Sequence, residues 1–291
     1  MSGTGTAFGI QLHGTFPMPM YAELARAVEA QPFAELTVHD IVWWRPVWPI
    51  LTLVAANTER VAVGPDVTHP YLRHAVVTAS NLAGLDELSA GRAVLGVGRG
   101  SLLQPLGISR AGSEAAVREL VRSVQRYLAG EDPRANFLWR PPRGRIPVFL
   151  GAFGPRMIES ALEWADEIRP PGIWDPRFFE SLKPGLGGRA RLGCDVWVAL
   201  DSDRERARDL GRQVLGRYLA EMPAMTAFYG VDPEAPISDA TLDLFVAAGT
   251  PADVARGLER LVAAGPATIT FSGRLGHDPL WAIEALGRIV A

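Results

Sequence analysis

Residues 61–101 read VAVGPDVTHPYLRHAVVTASNLAGLDELSAGRAVLGVGRGS. A short β-branched run at 61–64 is followed by a stretch at 75–88 with apolar residues at three and four spacing, then by a second apolar run at 93–98 ending in glycines. Strand, helix, strand is the signature of a parallel pair, because strands running the same way need a crossover of a dozen residues or more. The alternation continues in both directions. Further strands are expected at 8–12, 35–39, 148–152, 167–169, 195–200 and 267–272, making eight, with helices at 20–30, 114–128, 156–165, 204–218 and 252–263. Thr250-Pro251-Ala252-Asp253 and Gly154-Pro155 mark helix starts, and Gly130, Gly265 and Gly276 mark helix stops.

Eight strand-helix units in 291 residues, with no linker or composition shift at mid-chain, fit one closed α/β barrel, a (β/α)8 TIM barrel, better than two Rossmann-like halves. The expectation is a single domain over 1–291 with insertions at 131–145 and 221–241. The second insertion contains MPAMTAFYGVDPEAP, whose Met222, Met225, Phe228 and Tyr229 are too apolar to stand idle in water. A lid over the barrel mouth is one use for it; a surface excursion is the other.

Composition narrows the function. A net charge of -3 gives no basic footprint for nucleic acid or an anionic membrane, and no apolar run reaches the length of a membrane span. The N-terminus has no signal-like segment, so a cytoplasmic location is expected. Cys194, the sole cysteine, reads as a small buried thiol. The five histidines share no metal-ligand spacing, and no G-x-S-x-G elbow occurs; neither a metal nor a serine triad is expected.

A barrel places its site beyond the C-terminal ends of its strands. The segments to inspect are therefore His39-Asp40-Ile41-Val42-Trp43-Trp44, 64–71, Gly98-Arg99-Gly100-Ser101, and Gly151-Ala152-Phe153-Gly154-Pro155-Arg156. The last is a strand, a small-residue turn and a helix start, which suits a phosphate but also serves as an ordinary glycine turn. GVGRG at 96–100 lacks the glycine spacing of a dinucleotide fingerprint, and Pro105 interrupts the next turn. His69 can face the mouth or be a satisfied structural histidine, and Trp43, Trp44 and Trp48 can wall a pocket or complete the core.

Three blocks, 64–101, IPVFLGAFGPRM at 146–157 with ADE at 165–167, and GTPADVARGLERLVAAG at 249–265, resemble the luciferase-like monooxygenase superfamily, in particular its coenzyme F420 branch related to methylenetetrahydromethanopterin reductase. The resemblance runs nearly end to end. It implies a deazaflavin across the barrel mouth, its ring backed by a bulge at Asp66-Val67 that often holds a non-proline cis peptide. It further places Thr68 and His69 near the ring, Gly98, Gly100 and Ser101 along the cofactor, and Ala152, Phe153, Gly154, Pro155 and Arg156 around its phosphate.

The chain also departs from the family pattern. Aspartate stands at 66 where relatives have glycine, histidine at 69 where they have asparagine, and Asp40-Ile41 where they have an Asp-His pair. Asp40 keeps a cofactor-side position, while Ile41 cannot move a proton. His69 or Ser101 is the expected substitute in catalysis. The implied activity is an F420-dependent oxidoreductase acting on a small organic substrate, with reduction of an activated C=C or C=N bond as the favoured direction. The alternatives are an FMN-dependent monooxygenase and a flavin-binding barrel without turnover. The resemblance also implies a homodimer.

Overall fold

A computed structural model describes residues 5–131 and 142–291. Among these, the strands are β1 Ala7–Leu12, β2 Glu35–Val38, β3 Ala62–Pro65, β4 Leu95–Val97, β5 Val148–Leu150, β6 Glu167–Ile168, β7 Arg191–Leu192, β8 Cys194–Leu200, β9 Val246–Gly249 and β10 Thr268–Gly276. Every pairing is parallel. The strands form one sheet in the order β3-β2-β1-β10-β8-β9 and a second in the order β4-β5-β6-β7.

No continuous ladder joins the two sheets, but backbone bonds cross both seams. Val63 bridges Ala93 and Thr68 bridges Val97, with Thr68 N donating to Gly96 O and Gly98 N to Thr68 O, each at 2.9 Å. At the other seam Gly193 alone separates β7 from β8; its N donates to Ile168 O at 2.9 Å, and Asp195 N donates to Pro170 O at 3.1 Å. All eight expected strands are present within a few residues of their expected ends. Two more were not anticipated: β7 is two residues long, and the Val-Ala-Ala-Gly of β9 follows directly on a helix and carries little β propensity.

The helices are α1 Met20–Glu29, α2 Val47–Ala56, α3 Ala75–Leu88, α4 Ser113–Ala129, α5 Pro155–Ala161, α6 Pro176–Leu186, α7 Arg204–Tyr218, α8 Pro223–Tyr229, α9 Asp239–Phe245, α10 Pro251–Ala263 and α11 Pro279–Val290. The expected starts hold. Thr250 and Asp253 form a reciprocal capping box on α10, and Gly154 precedes Pro155 at the start of α5. Gly130 caps α4 with φ 72°, whereas Gly276 ends strand β10 and stops no helix. Helix α2, VWPILTLVAA, was not expected because it is apolar nearly all round and so lacks a helical contrast.

The buried side chains form a continuous cluster drawn from strands and surrounding helices, and all seven residues of β8 are buried. Of the expected insertion at 131–145, residues 132–141 lie outside the described residues. The 221–241 stretch supplies α8 and the start of α9; Met222 and Met225 are buried, while Phe228 is exposed. No described helix is long and apolar enough to cross a membrane.

Candidate active site

The segments that follow the strands converge on a cavity of about 610 Å³. Its lining includes Asp40, Asp66, Val67, Gly100 and Ser101, and the run Ala152, Phe153, Gly154, Pro155 and Arg156. Ten of the expected site residues therefore share one cavity. Thr68, His69 and Gly98 do not line it; they support it from behind.

The wall at β3 is built from that support. The Asp66–Val67 peptide is cis, at the position where the resemblance puts the bulge. Val67 is seated against two glycines: a Cβ on Gly98 would lie 2.6 Å from Val67 Cγ2, and one on Gly151 would lie 2.8 Å from Cγ1. Any side chain at either position would push Val67 toward the cavity. Thr68, fully buried, donates its hydroxyl to Asp40 Oδ2 at 2.7 Å. Arg73 closes the arrangement by donating Nη2 to Asp40 Oδ1 at 2.7 Å and Nη1 to Oδ2. Asp40 is thus held by three donors and fixes the β2 and β3 loops to each other.

His69 is buried, its Nδ1 accepting from Tyr71 N at 3.4 Å and its Nε2 without a partner. Burial holds its pKa below the ordinary value, Arg73 adds to that and Asp40 opposes it. A Cβ on Gly100 would lie 3.0 Å from His69 Cγ, so the imidazole backs the loop after β4. Of the two readings open for His69, the structure has it off the cavity lining and behind the loop after β4.

Besides His39, which stands in the segment expected at the mouth, several lining residues lie outside the expected segments. Gln11 at the end of β1, His13, His39, Asp195 and Trp197 on β8, and Tyr218 on α7 all face the cavity. His13 and His39 lie 4.9 Å apart between ring centroids, with Trp44 at 4.6 Å and 5.5 Å from them. Burial pushes the His39 pKa down to about 4 and that of His13 well below its usual value. Both imidazoles are therefore neutral near pH 7. Trp44 backs them, Trp48 packs on the core, and exposed Trp43 donates Nε1 to Leu102 O at 2.8 Å, tying the β2 and β4 loops together. Asp195 had a visible cue: one charged residue inside the apolar run CDVWVAL.

Below the cavity floor lies an ionic cluster. Arg169 donates Nη1 to Glu35 Oε1 at 2.6 Å and Nε to Glu167 Oε1 at 3.0 Å, and stacks over Phe149 at 4.0 Å. Arg99 and Arg156 provide cationic groups on the cavity's wall, Arg99 Nη2 donating to Glu221 O at 3.0 Å. No group of His, Cys, Asp and Glu among the described residues is arranged to hold a metal ion.

The chain is 27% identical to 5,10-methylenetetrahydromethanopterin reductase of Methanolobus tindarius over 97% of its own length and 98% of the relative's. Its fold matches the solved coenzyme F420 dependent tetrahydromethanopterin reductase of Methanopyrus kandleri with a TM-score of 0.85 at 24% identity, covering 98% of both chains. It also matches, at TM-score 0.73 and 16% identity over 99% of this chain and 98% of the other, the oxygenating constituent of 3,6-diketocamphane monooxygenase from Pseudomonas putida in complex with FMN. The family model for luciferase-like monooxygenases matches residues 7–268, and the chain belongs to that family.

Proposed function

We propose that this protein is an F420-dependent oxidoreductase that passes hydride between the deazaflavin and a small organic substrate, with reduction of an activated C=N or C=C bond as its working direction. The observation that carries this reading is the composition of one cavity: an apolar backing at Val67, neutral imidazoles at His13 and His39, and Arg99 and Arg156 at the wall. Those residues fit a flat ring with an anionic tail. Helix α5 has seven residues, so the charge of Arg156, more than a helix dipole, is suited to the phosphate. Val67, seated on Gly98 and Gly151, would hold the ring's face, while Gly100 and Ser101 would run along it. The deazaflavin, when bound, supplies hydride at its C5. The chain's own residues orient the partners and keep water away from them.

Met222, Pro223 and Ala224 line the same cavity, which supports the 221–241 segment as a lid. The same reading includes one domain over 1–291, a small-molecule substrate, a cytoplasmic location consistent with the free buried thiol of Cys194, and a homodimer. Val77, Gly84 and Leu88, exposed along α3, offer a face for the second copy.

Titration of the protein with F420 and with FMN, followed by fluorescence, tests the cofactor. F420 binding without FMN binding is expected. FMN binding, with oxygen consumed when reduced FMN is supplied, would instead favour a monooxygenase. Absence of binding by either would favour a barrel without turnover.

A further inference from the structure

Four carboxylic acids, Glu35, Glu167, Asp66 and Asp195, gather inside the barrel around one buried guanidinium, Arg169. That guanidinium is committed to two of them, Glu35 at 2.6 Å and Glu167 at 3.0 Å, and Arg191 reaches Glu167 at 2.7 Å from the exposed side. Thr270 adds its hydroxyl to Glu35 at 2.7 Å. Asp66 and Asp195 are left without a cation in contact, and both line the cavity. Their surroundings differ. Asp66 Oδ2 accepts the Thr37 hydroxyl at 3.0 Å, as an anion does, whereas Asp195 Oδ1 is buried with no partner at all. An ionised carboxylate without a donor is the costlier species in such a place, and a neutral acid beside an anion is the cheaper one.

We propose that Asp195 is a general acid of this site, holding a proton beside Asp66 and delivering it to the substrate nitrogen or oxygen that takes up the electron pair displaced by hydride. The proposal rests on the hydride-transfer reading above. In the step, the O–H bond of Asp195 breaks as the π pair of the substrate's C=N bond, or of a C=C conjugated to a carbonyl, moves onto the nitrogen or the carbonyl oxygen. The hydride forms the new C–H bond, the substrate gains two electrons, and the reduced deazaflavin loses two. Asp195 is left as a carboxylate and recovers its proton from water. The acceptor must therefore carry a basic nitrogen or oxygen, and an anionic group at that end would be repelled by the floor.

The electrostatics agree with this geometry. Burial raises Asp195 well above the carboxylate range, with Asp66, Glu35 and Glu167 adding and Arg169 opposing. Burial also pushes Asp66 to about 7, Glu35 adding while Arg169, Thr37 and Gln11 oppose. Burial pushes the Cys194 thiol well above its ordinary value, with Asp195 and Glu167 adding and Arg169 opposing.

Infrared titration of the 13C-aspartate-labelled protein, without cofactor, reads the proton itself. A protonated carboxyl band is expected at pH 7 in which Asp195→Asn and Asp66→Asn remove different parts, the Asp195 part titrating about one pH unit lower in Asp66→Asn. Absence of any protonated aspartate at pH 7, or a band that Asp195→Asn leaves unchanged, would overturn the proposal. F420 affinity of Asp195→Asn should stay within about threefold of wild type while turnover falls about 100-fold and its alkaline limb disappears. Unchanged turnover with the alkaline limb intact would also overturn it. Failure of the wild-type protein to bind F420 would instead reject the hydride-transfer reading and with it the catalytic step, while the infrared band still reports whether Asp195 holds its proton.

Discussion

Asp40 stands beside Ile41, where the family resemblance implies an Asp-His pair, and the structure shows what the Asp40 carboxylate does. Three donors from Thr68 and Arg73 converge on it. Asp40→Asn removes the charge that Arg73 answers and replaces an acceptor with an amide that cannot match the fork. A loss of about 2–3 kcal/mol in urea unfolding is expected, with weaker cofactor binding because the β2 and β3 loops separate. His69 tests the other substitute. Its imidazole is neutral and outside the cavity, so His69→Gln should weaken cofactor binding through the Gly100 loop while leaving the pH profile of turnover in place. A moved acid limb would restore His69 as a proton-transfer group. At this scale the turn at 152–156 was legible from its neighbours along the chain, while Asp66 and Val67 were indicated only by the family resemblance. The sequence was silent on Asp195 as a partner of Asp66, because the two meet only when β3 and β8 face each other across the barrel.

Among elements, the best-read were those with local punctuation. Helix α10 begins at Thr250, whose hydroxyl accepts from Asp253 N while the Asp253 carboxylate accepts from Thr250 N at 3.0 Å. Thr250→Ala leaves first-turn N–H groups without that acceptor, and a loss of about 1 kcal/mol in urea unfolding is expected. Helices α2 and α11 are less legible along the chain, for different reasons. The first has no polar face to give contrast, and the second follows a strand whose length runs past Ser272 to Gly276. Gly98 shows an element's end shaped by a neighbour it never meets in sequence. An added methyl would sit 2.6 Å from Val67 Cγ2. Gly98→Ala should therefore cost about 1–3 kcal/mol and weaken F420 binding as Val67 shifts; a thermal melt and a fluorescence titration report the two effects separately. Unaltered binding in a destabilised variant would remove Val67 from the proposed ring contact.

Across the whole molecule, alternation alone carried the parallel architecture, since a strand-helix repeat has few ways to bury both faces of its sheet. What alternation could not carry is the ionic interior, because charges spaced far apart in sequence meet only once the strands of the two sheets are brought together. That interior makes stability depend on pH in two opposing ways. His39, with its folded pKa pushed down to about 4, stays neutral while the unfolded chain takes up a proton below its ordinary value of 6.5. Its contribution is complete above 6.5 and is lost as pH falls toward 4. Asp66 runs the other way. Its folded pKa of about 7 exceeds its ordinary 3.8, so its contribution is present below 3.8 and is lost as pH rises through about 7. Removing each group in turn separates them. Asp66→Asn should gain on wild type as pH rises from about 4 to about 7, by at most about 1.4 kcal/mol per pH unit, and hold a constant difference above that. His39→Gln should gain on wild type as pH falls across the window from 6.5 to about 4. Urea midpoints of the three proteins measured at pH 4, 5.5, 7 and 8.5 provide the comparison. Parallel curves for wild type and Asp66→Asn would mean that Asp66 is ionised in the folded protein at every pH tested, and the floor of the cavity would then hold no proton there.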